Sequence, residues 1–171
     1  MIVEFDPEKV RSRTPFFTTL QTDIPWTWED AITFFDSHPE NEIDYHAEKC
    51  RFFLTGSQRR RSAPLFAKLL HTQMRDFFYK NKCSNIAFFG FGKQNLSYPW
   101  HTDKMDVFLV QILGDVKIRV ENTEWENEYR DFNVGDCVYI PRGTHHEIVT
   151  GKSRVTFSFG VEKQPCPSTY I

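Results

Sequence analysis

From Asn85 onward the chain takes up the two-residue rhythm of β-strands, and that change restricts its fold more than any other feature. Residues 86–89, 107–112, 116–120, 137–140 and 154–159 are short runs rich in Val, Ile and Phe, residue types that fit a pleated, half-buried surface. Turn signals divide them: Gly90-Phe91-Gly92, Leu113-Gly114-Asp115, Val134-Gly135-Asp136 and Thr150-Gly151-Lys152. Many short strands joined by glycine-bearing turns predict a mainly β fold, an antiparallel barrel or jelly roll.

The first half reads differently. Thr27-Trp28-Glu29-Asp30 has the form of a capping box, and Trp28, Ala31, Ile32 and Phe35 follow at helical spacing until Pro39 ends the run. Ser62-Ala63-Pro64 opens a second helix, on which Phe66, Leu69, Leu70, Met74, Phe77 and Phe78 share one face while Lys68, Arg75 and Lys80 lie off it. Such a stripe is expected to pack against the sheet. With no repeat, linker or low-complexity segment, residues 1–171 are expected to form one domain. Residues 1–84 would supply a helical and strand elaboration, and residues 85–162 a β core that carries the site. The Gln164-Pro165-Cys166-Pro167 tail is expected to run irregularly over the surface.

Composition narrows the function classes. A length of 171 residues with 40% hydrophobic content suits one soluble globular domain, and 17 Phe make its interior rich in rings. A formal net charge of -2 gives no reason to expect nucleic acid or membrane binding through bulk charge. The opening Met1-Ile2-Val3-Glu4-Phe5-Asp6 lacks the basic segment and apolar run of a secretory signal, and no stretch is long enough to span a bilayer. Cys50, Cys83, Cys137 and Cys166 are scattered. They read as reduced thiols of a cytoplasmic protein. The basic cluster Arg59-Arg60-Arg61 reads as a solvated loop, with contact to an acidic substrate as the alternative.

Two points in the β-rich half carry chemistry. His101-Thr102-Asp103 stands before one strand, and Pro141-Arg142-Gly143-Thr144-His145-His146 follows another. On an extended segment His101 and Asp103 point the same way, because side chains alternate with period 2. His145 or His146 can bring a second imidazole. Two imidazoles and a carboxylate bind one face of an octahedral Fe(II) and leave the opposite positions open. The third ligand comes from a distant strand, so folding must assemble the site.

The run from Trp100 to Gly114 resembles the first metal motif of JmjC-type and ribosomal-oxygenase-type cupins, which are Fe(II)- and 2-oxoglutarate-dependent oxygenases. The run from Gly135 to His146 resembles the second cupin motif in full register. The resemblance lies within residues 100–160, about a third of the chain, and together the two half-motifs are fairly specific. It implies a double-stranded β-helix with buttressing helices from the N-terminal half. It also implies His101, Asp103 and His146 as catalytic metal ligands, with Fe(II) as the metal. In the cupin spacing Pro141 and Gly143 put His146 in the ligand slot, which leaves His145 on the other side, at the mouth of the pocket. Asp106, three past Asp103, is expected to be a solvent group or a residue just behind the ligands.

The implied activity is hydroxylation with dioxygen and 2-oxoglutarate of an unidentified substrate, a protein side chain or a small molecule. The distal carboxylate of 2-oxoglutarate needs a cation, best an arginine, whose fork pairs with two oxygens. JmjC-like relatives carry a basic residue two past the glycine that ends the first motif, where this chain has Val116. Lys117 should face the other way. The alternative is Arg154 on the strand after the distal histidine, with Thr156 on its face helping to bind the same carboxylate and Tyr98 as a further hydroxyl for it. Gln111 faces either the pocket or solvent. Two other readings fit these residues: a cupin metalloenzyme that does not use 2-oxoglutarate, for which Val116 speaks, and a non-catalytic ligand-binding cupin.

Overall fold

The computed structural model describes residues 3–40, 43–46, 51–55, 63–78, 83–91, 98–149 and 152–161. Arg59, Arg60, Arg61, Cys50, Cys166 and the tail after Val161 lie outside them. A short helix α1 (Pro7–Ser12) leads into strand β1 (Phe16–Thr19), and α2 (Trp28–Asp36) is followed by β2 (Ile43–His46) and β3 (Arg51–Thr55). Helix α3 (Leu65–Phe77) then delivers the chain to β4 (Cys83–Gly90), β5 (Asp106–Leu113) and β6 (Val116–Val120). The last strands are β7 (Arg130–Phe132), β8 (Asp136–Ile140), β9 (His146–Val149) and β10 (Arg154–Val161).

The strands form two sheets. The larger has seven strands in the order β1-β8-β5-β10-β4-β3-β2, and the smaller has the order β7-β6-β9. Neighbouring strands pair antiparallel, including β10 with both β4 and β5 at the centre of the large sheet. Residues 1–84 therefore do more than cover the β core, because β1, β2 and β3 extend its main sheet.

Strand alternation separates two apolar cores across the large sheet. Phe108, Val110 and Ile112 of β5 and Val155, Phe157 and Phe159 of β10 turn toward Phe34 of α2 and toward Phe66, Leu70 and Met74 of α3. Val107 and Leu109 of β5, with Val138 and Ile140 of β8, face Val116, Ile118, Phe132 and Ile148 of the small sheet. The result is a two-sheet jelly roll with helices packed on the outer face of one sheet. No described helix is long and apolar enough to cross a membrane.

Helix burial departs from the predicted stripes. The α2 capping box is present, with Asp30 N donating to Thr27 Oγ1 at 3.2 Å and Thr27 N to Asp30 Oδ2 at 2.8 Å. Ala31 is buried and Phe35 half-buried as the spacing predicts, yet Trp28 and Ile32 are exposed and Phe34 is buried in their place. Ring packing sets the rotation: Phe34 meets both Trp26 and Phe157. On α3, Leu69 is likewise exposed, so the buried stripe is narrower than the sequence suggests. Cys83 and Cys137 are free and buried, and burial pushes both thiols up, that of Cys83 to about 12.

Asp106 is not a solvent group. It is buried on the helix-facing side and accepts from Arg13 Nη2 at 3.0 Å, Tyr139 OH at 3.0 Å and Arg142 N at 2.9 Å. One carboxylate thus ties the left-handed cap of α1 at Arg13 to β8 and to the turn before the distal histidine. Gly114, between β5 and β6, has φ +70°, and a Cβ there would overlap the carbonyl oxygen of Ser153. Close approach and backbone handedness both require glycine at this turn.

Two stability predictions follow from these contacts. Asp106→Ala removes the carboxylate to which the buried Tyr139 hydroxyl and the Arg142 amide donate, and should cost about 2–4 kcal/mol in urea denaturation, since one hydrogen bond to a charged group contributes about 1.5–3 kcal/mol. Gly114→Ala should cost about 2 kcal/mol or more, the left-handed strain alone being about 1–2 kcal/mol. Wild-type denaturation midpoints in either variant would contradict the assignment.

Candidate metal centre

His101 and His146 face one another across a two-residue antiparallel bridge. His146 N donates to His101 O at 2.8 Å, and His101 N donates to His146 O at 3.1 Å. Residues paired in this way send their side chains to the same face, and the two imidazole centroids lie 4.4 Å apart. On its other side His146 is in register with Val120 of β6. Asp103 follows on the same segment as His101, and its carbonyl accepts from Gly143 N at 3.0 Å. Thr144 N closes the turn onto Pro141 O at 3.1 Å. Gly143 has φ +80°, a conformation open to glycine at little cost. The Pro-x-Gly spacing thus builds a turn that clamps the segment bearing the first two candidate ligands.

The side-chain atoms converge. Asp103 Oδ2 is 3.5 Å from His146 Nε2, Asp103 Oδ1 is 4.0 Å from His101 Nε2, and the candidate ligand atoms of the three residues lie within 4.8 Å of one another. The other ring nitrogens are occupied: His101 Nδ1 lies 2.7 Å from Pro99 O, and His146 Nδ1 lies 3.2 Å from Thr144 O. A carbonyl only accepts, so both Nδ1 atoms carry the hydrogen and both Nε2 lone pairs face Asp103. That tautomer is the one a metal ligand requires, and the backbone carbonyls fix the ring planes. Burial, reinforced by the neighbouring His101, holds His146 below the usual histidine range, which favours the neutral, metal-binding form. Two neutral imidazoles and one carboxylate, with open space beside them, are a donor set that suits Fe(II).

That open space is a cavity of about 80 Å³ between the sheets. His101, Asp103 and His146 line it together with Tyr98, Arg154 and Thr156, and Phe88, Leu109 and Ile148 supply apolar wall. Tyr98 is 40% exposed and Arg154 only 3%, so the cavity runs from an open end near Tyr98 to a buried guanidinium. Arg154 is the one lysine or arginine on its wall among the described residues. Its Nη1 donates to Thr156 Oγ1 at 2.8 Å. The Thr156 hydroxyl lies 2.7 Å from Gln111 Oε1, and Gln111 Nε2 donates to Leu113 O at 2.9 Å and Gly114 O at 2.6 Å.

Other residues singled out in the sequence lie elsewhere. Val116 is buried in the apolar core between the sheets. Lys117 points outward and pairs with Asp131 at 3.1 Å. His145 does not line the cavity: it stacks on Trp100 at 5.7 Å on the outer face and lies 3.0 Å from Glu121 Oε2 through Nδ1. Strand alternation that turns His146 inward necessarily turns His145 out. Gln111 faces neither solvent nor the cavity directly, since it is fully buried behind Thr156. Its role escapes a sequence reading because it depends on the β5–β10 register, in which Thr156 stands opposite Gln111 beside a bulge. A lone glutamine among apolar strand residues was the available signal, as buried amides need partners.

The family model for the JmjC domain matches residues 66–168. No curated protein matches the chain significantly. The fold is similar to crystal structures of the Escherichia coli ribosomal oxygenase YcfD, one of them at 15% identity and TM-score 0.63, covering 95% of this chain and 54% of that one. The YcfD structure in complex with cobalt and 2-oxoglutarate gives 16% identity and TM-score 0.67, covering 94% and 52%. The complex with cobalt and succinic acid gives 15% and 0.63, with the same coverage of 94% and 52%. The chain spans about half the length of these solved relatives, and at such identity the likeness speaks for the jelly-roll fold. With more than half of its residues matched by the family model, the chain belongs to the JmjC domain family.

Proposed function

We propose that the chain is an Fe(II)- and 2-oxoglutarate-dependent oxygenase that hydroxylates a protein side chain or small molecule, with residues 1–171 acting as one domain. His101, Asp103 and His146 would hold the iron, and Arg154 would anchor the distal carboxylate of 2-oxoglutarate. The observation that carries this reading is that one cavity is bounded both by the three candidate ligands and by a buried guanidinium. The capture of cobalt and 2-oxoglutarate by the similar ribosomal oxygenase supports it. A reducing cytoplasm would suit both Fe(II) and the free thiols.

Iron, when bound, supplies activation of dioxygen, with 2-oxoglutarate as the reductant. The chain's own residues supply geometry and charge. Pro99 O and Thr144 O hold the two imidazoles with Nε2 toward the site. The Asp103 carboxylate offsets metal charge. Phe88, Leu109 and Ile148 limit water around Arg154, so an ion pair formed there is weakly screened. Tyr98, exposed at the open end, stands where a substrate would enter.

A cupin metalloenzyme that does not use 2-oxoglutarate is the competing reading, and Val116 in place of the relatives' basic residue favours it. Two titrations separate the readings. In Mn(II) titration, His101→Ala, Asp103→Ala, Asp103→Asn and His146→Ala should each lose tight binding, whereas His145→Ala should bind nearly as wild type. The opposite behaviour of the His145 and His146 variants would exchange their roles.

In calorimetry on the Mn(II)-loaded protein, Arg154→Ala should raise the 2-oxoglutarate Kd by tens- to thousands-fold, since losing one partner of a desolvated charge pair costs about 2–5 kcal/mol. Arg154→Lys should recover part of the affinity, and Lys117→Ala should leave it unchanged. If the wild type does not bind 2-oxoglutarate, the competing reading takes its place.

A further inference from the structure

The buried chain behind Arg154 has a fixed direction. Leu113 O and Gly114 O can only accept, so the Gln111 group facing them is the amide nitrogen, and its oxygen must face Thr156. An amide oxygen cannot donate, so the Thr156 hydroxyl gives its single proton to Gln111 Oε1. Its lone pairs then face outward, and one of them accepts from Arg154 Nη1. Both Gln111 and Thr156 are buried at 0% and 1% exposure, so water does not compete for these bonds.

We propose that Gln111 is a positioning residue for the co-substrate anchor: it commits the Thr156 proton, making Thr156 an acceptor that aims the Arg154 guanidinium rather than a donor to the bound carboxylate. This rests on the 2-oxoglutarate reading above and gives Thr156 an indirect role in place of the direct contact expected from the sequence. A hydroxyl already committed as a donor cannot also donate to a carboxylate. It can hold one Nη group so that the rest of the guanidinium stays directed along the cavity. The anchoring of Gln111 to the β5–β6 turn makes this aim depend on the turn at Gly114, which also packs against Ser153 and Arg154.

The test pairs calorimetry of 2-oxoglutarate on Mn(II)-loaded protein with nitrogen-detected NMR of the Arg154 guanidinium in ligand-free protein, its signals identified by their absence in Arg154→Ala. Thr156→Val and Gln111→Leu should each raise the 2-oxoglutarate Kd about ten-fold, the scale of one hydrogen bond to a charged group. Their combination should be no weaker than either alone, because both remove the same relay. Thr156→Ser should restore affinity, and Mn(II) binding should stay at wild-type strength throughout. Slow rotation of the Arg154 Nη groups should be seen in wild type and Thr156→Ser and be lost in Thr156→Val and Gln111→Leu.

Wild-type 2-oxoglutarate affinity in Gln111→Leu, with loss in Thr156→Val, would overturn the proposal by showing that Thr156 donates to the ligand directly. Unchanged guanidinium rotation in both variants would overturn it as well. A wild type that binds no 2-oxoglutarate would remove the functional reading, and the guanidinium signals would still decide the direction of the relay. Should Gln111→Leu fail to fold, Gln111→Met, which keeps the unbranched length of the side chain and lacks its amide, carries the same comparison.

Discussion

The two backbone hydrogen bonds between His101 and His146 are the contact on which the site depends. They join segments far apart in sequence and make the two imidazoles neighbours by pairing geometry rather than by side-chain reach. His146 is held on both sides, by His101 and by Val120 of β6, so the proximal segment effectively extends the small sheet. Asp103 then needs no strand of its own, because Gly143 N fixes its backbone. Three candidate ligands are thereby placed by main-chain hydrogen bonds, which leaves the side chains only short distances to settle. That arrangement is the rigid support a metal site requires.

The opposite wall raises a different physical problem. Strand β10 is buried along its whole length, and its cavity-facing side carries Arg154, Thr156 and Ser158. Polar groups in such a place cost free energy unless they are paired, and a guanidinium costs more than a hydroxyl. The other side of the same strand packs Val155, Phe157 and Phe159 against the helices, and this apolar layer offsets the polar one. The helices are thus part of how the site is tolerated: they give β10 an apolar face strong enough to hold a polar interior edge. Residues 1–84 contribute through the same layer and through three strands of the large sheet.

Much of this was legible in the sequence for a simple reason: period 2 sorts strand residues into faces without knowledge of the partner strand. Arg154 and Thr156 fall on one face, His145 and His146 on opposite ones, and Val116 and Lys117 likewise. Contacts that depend on register or on helix rotation were not legible. Asp106 gains its partners from Arg13, Tyr139 and Arg142, which only the folded chain brings together. The buried face of α2 is turned by rings of Trp26 and Phe157, which local spacing cannot reveal. The outward place of His145 follows from alternation, whereas its stack on Trp100 does not.

In the proposed function one cavity takes both a metal and a dicarboxylate, the metal toward its open end and a carboxylate at its buried end. A crystal of the protein grown with Mn(II) and 2-oxoglutarate, measured for anomalous scattering, tests it most directly. One manganese peak is expected within ligand distance of His101, Asp103 and His146, with 2-oxoglutarate extending from it to an ion pair with Arg154. Manganese bound by other residues, or a co-substrate whose distal carboxylate reaches Lys117 or no cation at all, would contradict it.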